Sequence, residues 1–180
     1  MRKVTFGGAN SLDNFFARDD GGMDWLMWSD EAAEITQSFW TNVDTIIMGR
    51  KTYEFALASN PPAESDADTS GGIKTFIFSR TLPAGKTKDG AEITAEDPGE
   101  FVRKLKEGDG KDICIMGGGD LARSLLEAGV IDEIGFNVHP VLLGSGVPLF
   151  HKMKKQIDLE LLDCKPFKNG CVYVLYNVKN

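Results

Sequence analysis

Apolar residues in this chain gather into short continuous runs, separated by longer stretches with a helical rhythm. The runs at residues 3–9, 45–48, 74–78, 91–94, 112–116 and 133–138 predict strands. The stretches at 30–41, 52–58, 98–107 and 120–128 predict helices. Strands and helices alternate, which is the pattern of a largely parallel sheet with helices on both faces. The third helix has a readable start, with Asp97 placed to cap it, Pro98 at its first position and Glu100 in the first turn. The fourth runs out at Ala128-Gly129, where glycine suits a left-handed C-cap.

From Ile157 the pattern changes. Two strand-like runs flank Lys168-Asn169-Gly170-Cys171, and Asn-Gly is a strong hairpin signal. Val172, Val174, Tyr176 and Val178 share one face, so the chain is expected to end in an antiparallel hairpin. Residues 59–72 hold Pro61-Pro62, Gly71-Gly72 and no large apolar side chain, which predicts a surface loop rather than a domain linker. At 180 residues the expectation is one domain spanning 1–180.

Composition narrows the partners. With 20 basic against 27 acidic residues the net charge is −7, which argues against a general nucleic-acid or anionic-membrane surface. It leaves room for an anionic small molecule held by a few local donors. No apolar run approaches the roughly 20 residues of a membrane helix. Met1-Arg2-Lys3 leads directly into a strand without the apolar core of a secretory signal. Cys114, Cys164 and Cys171 form no C-x-x-C pair and suit buried thiols in a reducing compartment. The expected location is the cytoplasm. His139 and His151 have no partners at metal-ligand spacing, and no metal is expected.

Two strand-to-helix junctions carry candidate chemistry. In Thr45-Ile46-Ile47-Met48-Gly49-Arg50-Lys51-Thr52, a buried strand delivers a glycine, two cations and a hydroxyl to a helix N-terminus. Free N–H groups and the helix dipole favour an anion there, and Arg50 and Lys51 can pair with phosphate oxygens. In Ile115-Met116-Gly117-Gly118-Gly119-Asp120-Leu121, three glycines allow close backbone approach and a nest of N–H donors. Neither G-x-G-x-x-G nor the P-loop pattern is met. Dinucleotides bind at the carboxyl ends of such strands, so two phosphate-suited turns reinforce each other. Ser79-Arg80, at the end of a third strand, would suit a 2′-phosphate.

These residues carry a family resemblance. The 47–52 turn resembles the cofactor phosphate motif of dihydrofolate reductases, and 115–119 resembles their second glycine turn. Ser11-Leu12-Asp13 followed by Met23-Asp24-Trp25 resembles their first strand and mobile loop. The run His139-Pro140-Val141-Leu142-Leu143-Gly144-Ser145-Gly146-Val147-Pro148-Leu149-Phe150 closely resembles the hallmark of the C-terminal reductase domain of bifunctional riboflavin-biosynthesis deaminase-reductases. The resemblance covers residues 4–178. The H-x-E and P-C-x-x-C zinc signature of the deaminase half is missing, so a stand-alone reductase domain is expected.

The resemblance implies a dihydrofolate-reductase-like three-layer α/β fold and NADPH as cofactor. It implies that Gly49, Arg50, Lys51 and Thr52 hold phosphates and that Ser79 and Arg80 lie by the 2′-phosphate. Gly117, Gly118, Gly119, Asp120 and Leu121 would line the pyrophosphate and nicotinamide. Ala9 and Phe16 would flank the nicotinamide ring, with Leu143 and Gly144 near it. Asp13 is the substrate-side candidate, and Trp25 and Trp28 beside the expected pocket either stack on a planar substrate or anchor the core or the loop. Asp30, five residues after Trp25, is the candidate proton donor, with a helix cap or first-turn acid as its other reading. The implied activity is hydride transfer to a C=N or C=O bond, as in 5-amino-6-(5-phosphoribosylamino)uracil reductase. A dihydrofolate or pterin reductase and a non-catalytic NADPH-binding module are the alternatives. The resembled domains pair through their late strands, so a homodimer is expected. Two features of the riboflavin reductases, an arginine before the second strand and a D-x-P-x-L segment, are replaced at residues 40–43 and 55–60.

Overall fold

A computed structural model describes residues 1–59 and 72–179; the loop expected at 59–72 thus lies almost wholly outside the described residues. In chain order the first half gives β1 (Val4–Ser11), β2 (Phe15–Ala17), α1 (Asp30–Thr41), β3 (Val43–Gly49), α2 (Arg50–Ser59), β4 (Lys74–Phe78), β5 (Gly85–Lys86) and β6 (Glu92–Thr94). The second half gives α3 (Pro98–Glu107), β7 (Asp112–Gly117), α4 (Gly119–Glu127), β8 (Glu133–His139), β9 (Val147–Pro148), β10 (Asp158–Pro166) and β11 (Val172–Lys179).

One nine-stranded sheet runs in the order β10-β11-β8-β1-β7-β3-β4-β6-β5. The six strands from β8 to β6 in that order are mutually parallel, and β10–β11 is the antiparallel hairpin expected at the end of the chain. The largely parallel sheet is therefore as the sequence predicts. Three short strands are additional: β2 pairs with β9 in a small separate sheet, and β5 borders β6.

Helices cover both faces. On one, Ala32 of α1 packs with Phe167 and Cys171, while Tyr53 of α2 packs on Met48 and Ile77. On the other, Val102 of α3 and Leu121, Leu125 and Leu126 of α4 close over Val4, Phe6, Ile113 and Ile115. Each such side chain contributes about 1.5–3 kcal/mol on burial. Local sequence sets the helix ends. Ser29 caps α1 by accepting from the Ala32 N–H at 3.2 Å, and Asp97 caps α3 through the Glu100 N–H at 2.9 Å. Gly129 follows α4 at φ +67°, as its sequence position predicts.

The amino-terminal edge of the sheet is tied by the buried Arg2. Its guanidinium donates to the Lys111 carbonyl at 2.5 Å, to Thr45 Oγ1 at 2.6 Å and to the Asp44 carboxylate. The opposite edge matters for chemistry. Because the central strands are parallel, their carboxyl ends all open there. Ser11 lies beside His139, Met48 beside Gly117, and Gly49 beside Phe78. Among the described residues, no helix is long and apolar enough to cross a membrane.

Candidate active site

The two glycine turns meet. A Cβ on Gly49 would stand 3.5 Å from the Gly118 N, and a Cβ on Gly118 would stand 3.6 Å from Thr52 Oγ1. Gly117 has φ +105°, a conformation L side chains rarely adopt, and a cis peptide bond joins it to Gly118. Gly118 is the N-cap of α4 and offers no side chain to the first-turn N–H groups. The first turn of α2 carries no acid. The result is a patch of bare backbone donors at two helix N-termini, which suits an anion.

The third glycine does something else. A Cβ on Gly119 would stand 2.2 Å from His151 Cδ2 and 3.1 Å from the Leu149 carbonyl oxygen, so its bareness is used inside the protein. Leu121 is buried in the core, and Asp120 is exposed, 3.3 Å from Arg123 Nη2 and 3.7 Å from His151 Nδ1. Of the 117–121 run, Gly117 and Gly118 therefore face Thr52.

Three cations stand on the β3–β4 side. Arg50 Nη1 lies 2.8 Å from both oxygens of Glu54. Lys51 and Arg80 are exposed and have no ion-pair partner among the described residues. Ser79 is buried, and its hydroxyl oxygen accepts from the Thr81 and Leu82 N–H groups at 3.1 and 2.9 Å. Those bonds shape the turn that presents Arg80 and leave one hydroxyl hydrogen to donate.

On the β1–β8 side the geometry joins residues distant in sequence. Asp13 accepts from the Ser11 hydroxyl at 2.6 Å and from the Leu143 and Gly144 N–H groups at 3.1 and 2.8 Å. The Ser11 bond, opposed by desolvation and aided by the Gly144 and Leu143 bonds, holds the Asp13 carboxyl below its ordinary range. Its two carboxylate oxygens thus anchor the 141–149 segment. That segment also pairs with β2, and the half-buried Ala9 and Phe16 lie on the strands beside it.

Trp25 is buried edge-on against His139, with ring centroids 5.2 Å apart and planes at 86°. Trp28 is 78% exposed. Asp30 is exposed and the first residue of α1; the cap is Ser29, so Asp30 is the first-turn acid of its structural reading and not the cap. Sequence reasoning treats His139 only as a residue without metal-ligand partners and passes over Asn137. The strand period offers the signal: Ala9 pairs with Asn137 and Ser11 with His139, so all four share one face. Trp25 Nε1, His139 Nε2 and Asn137 Oδ1 are buried without a hydrogen-bond partner.

Among the described residues no group of three His, Cys, Asp or Glu side chains is placed to hold a metal. A groove of about 450 Å³, lined in part by Thr5, Ile35, Phe39 and Tyr173, lies under α1 at the amino-terminal edge of the sheet, away from both glycine turns.

Comparison with known proteins agrees with this architecture. The family model described as the RibD C-terminal domain matches residues 2–173. The uncharacterized protein YyaP of Bacillus subtilis is 31% identical over 184 residues, spanning 98% of this chain and 95% of YyaP. Among solved structures, a Shewanella sp. PV-4 protein named for riboflavin biosynthesis superposes with a TM-score of 0.82 at 22% identity, covering 100% of both chains. Dihydrofolate reductase of Enterococcus faecalis, solved with NADP(H), gives a TM-score of 0.66 at 13% identity over 99% of this chain and 97% of that one.

Proposed function

This chain belongs to the RibD C-terminal domain family, and from that premise we propose that it is an NADPH-dependent reductase acting on a C=N or C=O bond of a small heterocyclic substrate. The observation that carries the proposal is the meeting of the Gly49–Thr52 and Gly117–Gly118 turns at the carboxyl ends of adjacent parallel strands. A dinucleotide's phosphates fit such a place, because bare N–H donors and helix N-termini converge beside Arg50, Lys51 and Arg80.

NADPH, when bound, supplies a hydride from its nicotinamide ring. In this reading Gly117 and Gly118 give backbone donors to the pyrophosphate, and Thr52 adds a hydroxyl. Lys51 and Arg50 neutralise phosphate charge, Arg50 reaching toward the 2′-phosphate that Ser79 and Arg80 hold. Ala9, Phe16, Leu143 and Gly144 line the ring, with Asp13 fixing the last two. Trp25 and Trp28 border the substrate, and the proton comes from Asp30 or from water that reaches its exposed carboxylate. A pyrimidine of the 5-amino-6-(5-phosphoribosylamino)uracil type is the substrate the family resemblance suggests, with a pterin second. The uncovered strand β10 supports pairing of two copies.

The test is calorimetric titration with NADPH, followed by reductase assays with the pyrimidine and with dihydrofolate. Micromolar NADPH binding with oxidation in the presence of one substrate is expected. Binding without oxidation by either leaves a binding module; no binding sinks the reading.

A further inference from the structure

The two sides of the phosphate cleft are unequally charged. Arg50, Lys51 and Arg80 all stand where β3 and β4 end. The Gly117–Gly119 turn across from them brings bare N–H groups and one acid, the exposed Asp120 in the first turn of α4. A carboxylate at that helix end competes with a phosphate for the same donors. Two side chains stand by it. Arg123 Nη2 lies 3.3 Å from Asp120 Oδ1, and His151 Nδ1 lies 3.7 Å from the same oxygen. Arg123 is also engaged through Nη1 with the Lys152 carbonyl at 3.4 Å.

His151 is built into the turn. A Cβ on Gly119 would stand 2.7 Å from its Nε2 and closer still to its Cδ2, so the bare third glycine is what lets the ring edge lie there. The chain before the ring is fixed. Leu149 is buried, its N–H donates to the Asn14 carbonyl at 2.9 Å, and the Phe150 ring stands edge-on to Phe6 and Phe136. His151 is half-buried, with Nδ1 turned to Asp120 beyond hydrogen-bond reach and Nε2 at the first residue of α4. Of the two histidines, only His139 has a ring hydrogen bond among the described residues. The other charged groups nearby are Lys152, exposed and next in the chain, and Glu127, two turns along α4, which accepts from the Lys154 N–H at 3.0 Å. Thr52, across the turn, brings only a hydroxyl.

We infer that His151 is a further cofactor-binding residue, which takes up a proton when a dinucleotide phosphate docks on the Gly117–Gly119 turn. It thereby supplies the cation that this side of the cleft otherwise spends on Asp120. The inference rests on the reductase reading above and adds a residue and a pH dependence to its cofactor site. Imidazole is the side chain that changes charge between about pH 5 and 8. A unit charge roughly 6 Å from a phosphate, at an effective dielectric constant of about 40–80, is worth about three- to tenfold in affinity. The sign is definite: cofactor binding favours the protonated ring, so affinity falls as pH rises through the range where the ring loses its proton.

The test uses the full chain and NADP+. Proton NMR follows the two imidazoles against pH, without ligand and at saturating NADP+, with His151→Gln identifying the His151 signal. Its titration midpoint should rise by about 0.5–1 pH unit on binding, the same three- to tenfold expressed through linkage. Calorimetry at pH 6 and 8.5 then compares the native protein with His151→Gln, which keeps a hydrogen-bonding side chain that cannot be charged. The native protein should lose three- to tenfold more affinity across that range than the variant. The 2′-phosphate of the ligand titrates near pH 6 as well, about equally in both, so the difference belongs to the imidazole. An unmoved midpoint overturns the inference, as does a variant with the native pH dependence. NADP+ binding by the native protein is measured first, and its failure overturns the reductase reading itself.

Discussion

Arg50 Nη1 lies 2.8 Å from both carboxylate oxygens of Glu54, one helical turn further along α2. The pair is half exposed, so it adds little to stability, but it sets where the guanidinium points and partly cancels its charge. A phosphate bound there would therefore compete with Glu54 for Arg50. Arg50→Ala should cost NADPH about 1.5–3 kcal/mol of binding, roughly ten- to a hundredfold, and NADH less. Glu54→Gln should tighten NADPH severalfold. Calorimetry with both cofactors checks this, and equal losses for NADPH and NADH would remove Arg50 from the 2′-phosphate.

The glycines of the second turn should separate binding from folding. Among the described residues a Cβ at Gly118 meets only Thr52 Oγ1, at an ordinary 3.6 Å, and its φ of −72° is open to any residue. Gly118→Val should melt close to the native protein yet lose about a hundredfold in NADPH affinity, about 2.7 kcal/mol. Gly119→Ala should do the reverse. Its Cβ would press on His151 and the Leu149 carbonyl, costing about 1–3 kcal/mol of stability. Melting curves without ligand, followed by titration of the folded fraction, distinguish the two. Full NADPH affinity in folded Gly118→Val would take this turn out of the site.

What the sequence makes legible follows from how local each signal is. Helix α1 is predicted at 30–41 and α3 at 98–107, the spans observed, because amphipathic rhythm and caps are written within a dozen residues. The glycine turns are legible for the same reason. Strands β2 and β9 are not: they span three and two residues and exist only because residues 15–17 meet 147–148 across the fold. The Asp13 bonds to Leu143 and Gly144 and the burial of His139 under Trp25 are likewise products of tertiary approach. Ser79 illustrates a mixed case, where its place at a strand end is readable but its turn-forming bonds are not.

The Asp13 clamp should depend on pH with a definite sign. Its carboxyl is held down chiefly by the Ser11 hydroxyl and then by the Gly144 and Leu143 N–H groups. A depressed carboxylate contributes fully above its unfolded value, about 3.9, and the contribution is lost as pH falls through the folded value. Amide exchange at Leu143 and Gly144 should therefore be protected at neutral pH and lose that protection only in acid. Asp13→Ala should lose it at every pH. Unchanged protection factors in the variant would show that other contacts hold the segment.

Thiol chemistry should sort the three cysteines by burial. Burial pushes the Cys114 thiol up to about 12, and Cys171 is raised for the same reason, while Cys164 is exposed on β10. A thiol-disulfide reagent at neutral pH should modify one cysteine quickly in the folded single chain, where no partner covers β10, and the other two only on unfolding, since the thiolate is the reactive form. Loss of the fast phase in Cys164→Ser would confirm the assignment. Three fast thiols would contradict the packing of β7 and β11.

The last prediction concerns the edge of the sheet. Among the described residues β10 has a strand neighbour on one side only. Leu159 lies opposite Val178 and Leu161 opposite Tyr176, so they extend the face of β11 beyond the helices; they are 40% and 55% exposed. A nine-residue edge strand with an apolar strip on one face invites pairing, and a two-fold partner would cover both the strip and the free backbone groups. Light scattering at micromolar concentration should give twice the chain mass of 19.7 kDa. Leu161→Glu should give the single-chain mass with little change in fold, because the side chain is exposed within one copy, while a buried unpaired carboxylate costs an interface several kcal/mol. A single-chain mass for the native protein would refute pairing. A variant that stays paired would move the interface away from β10.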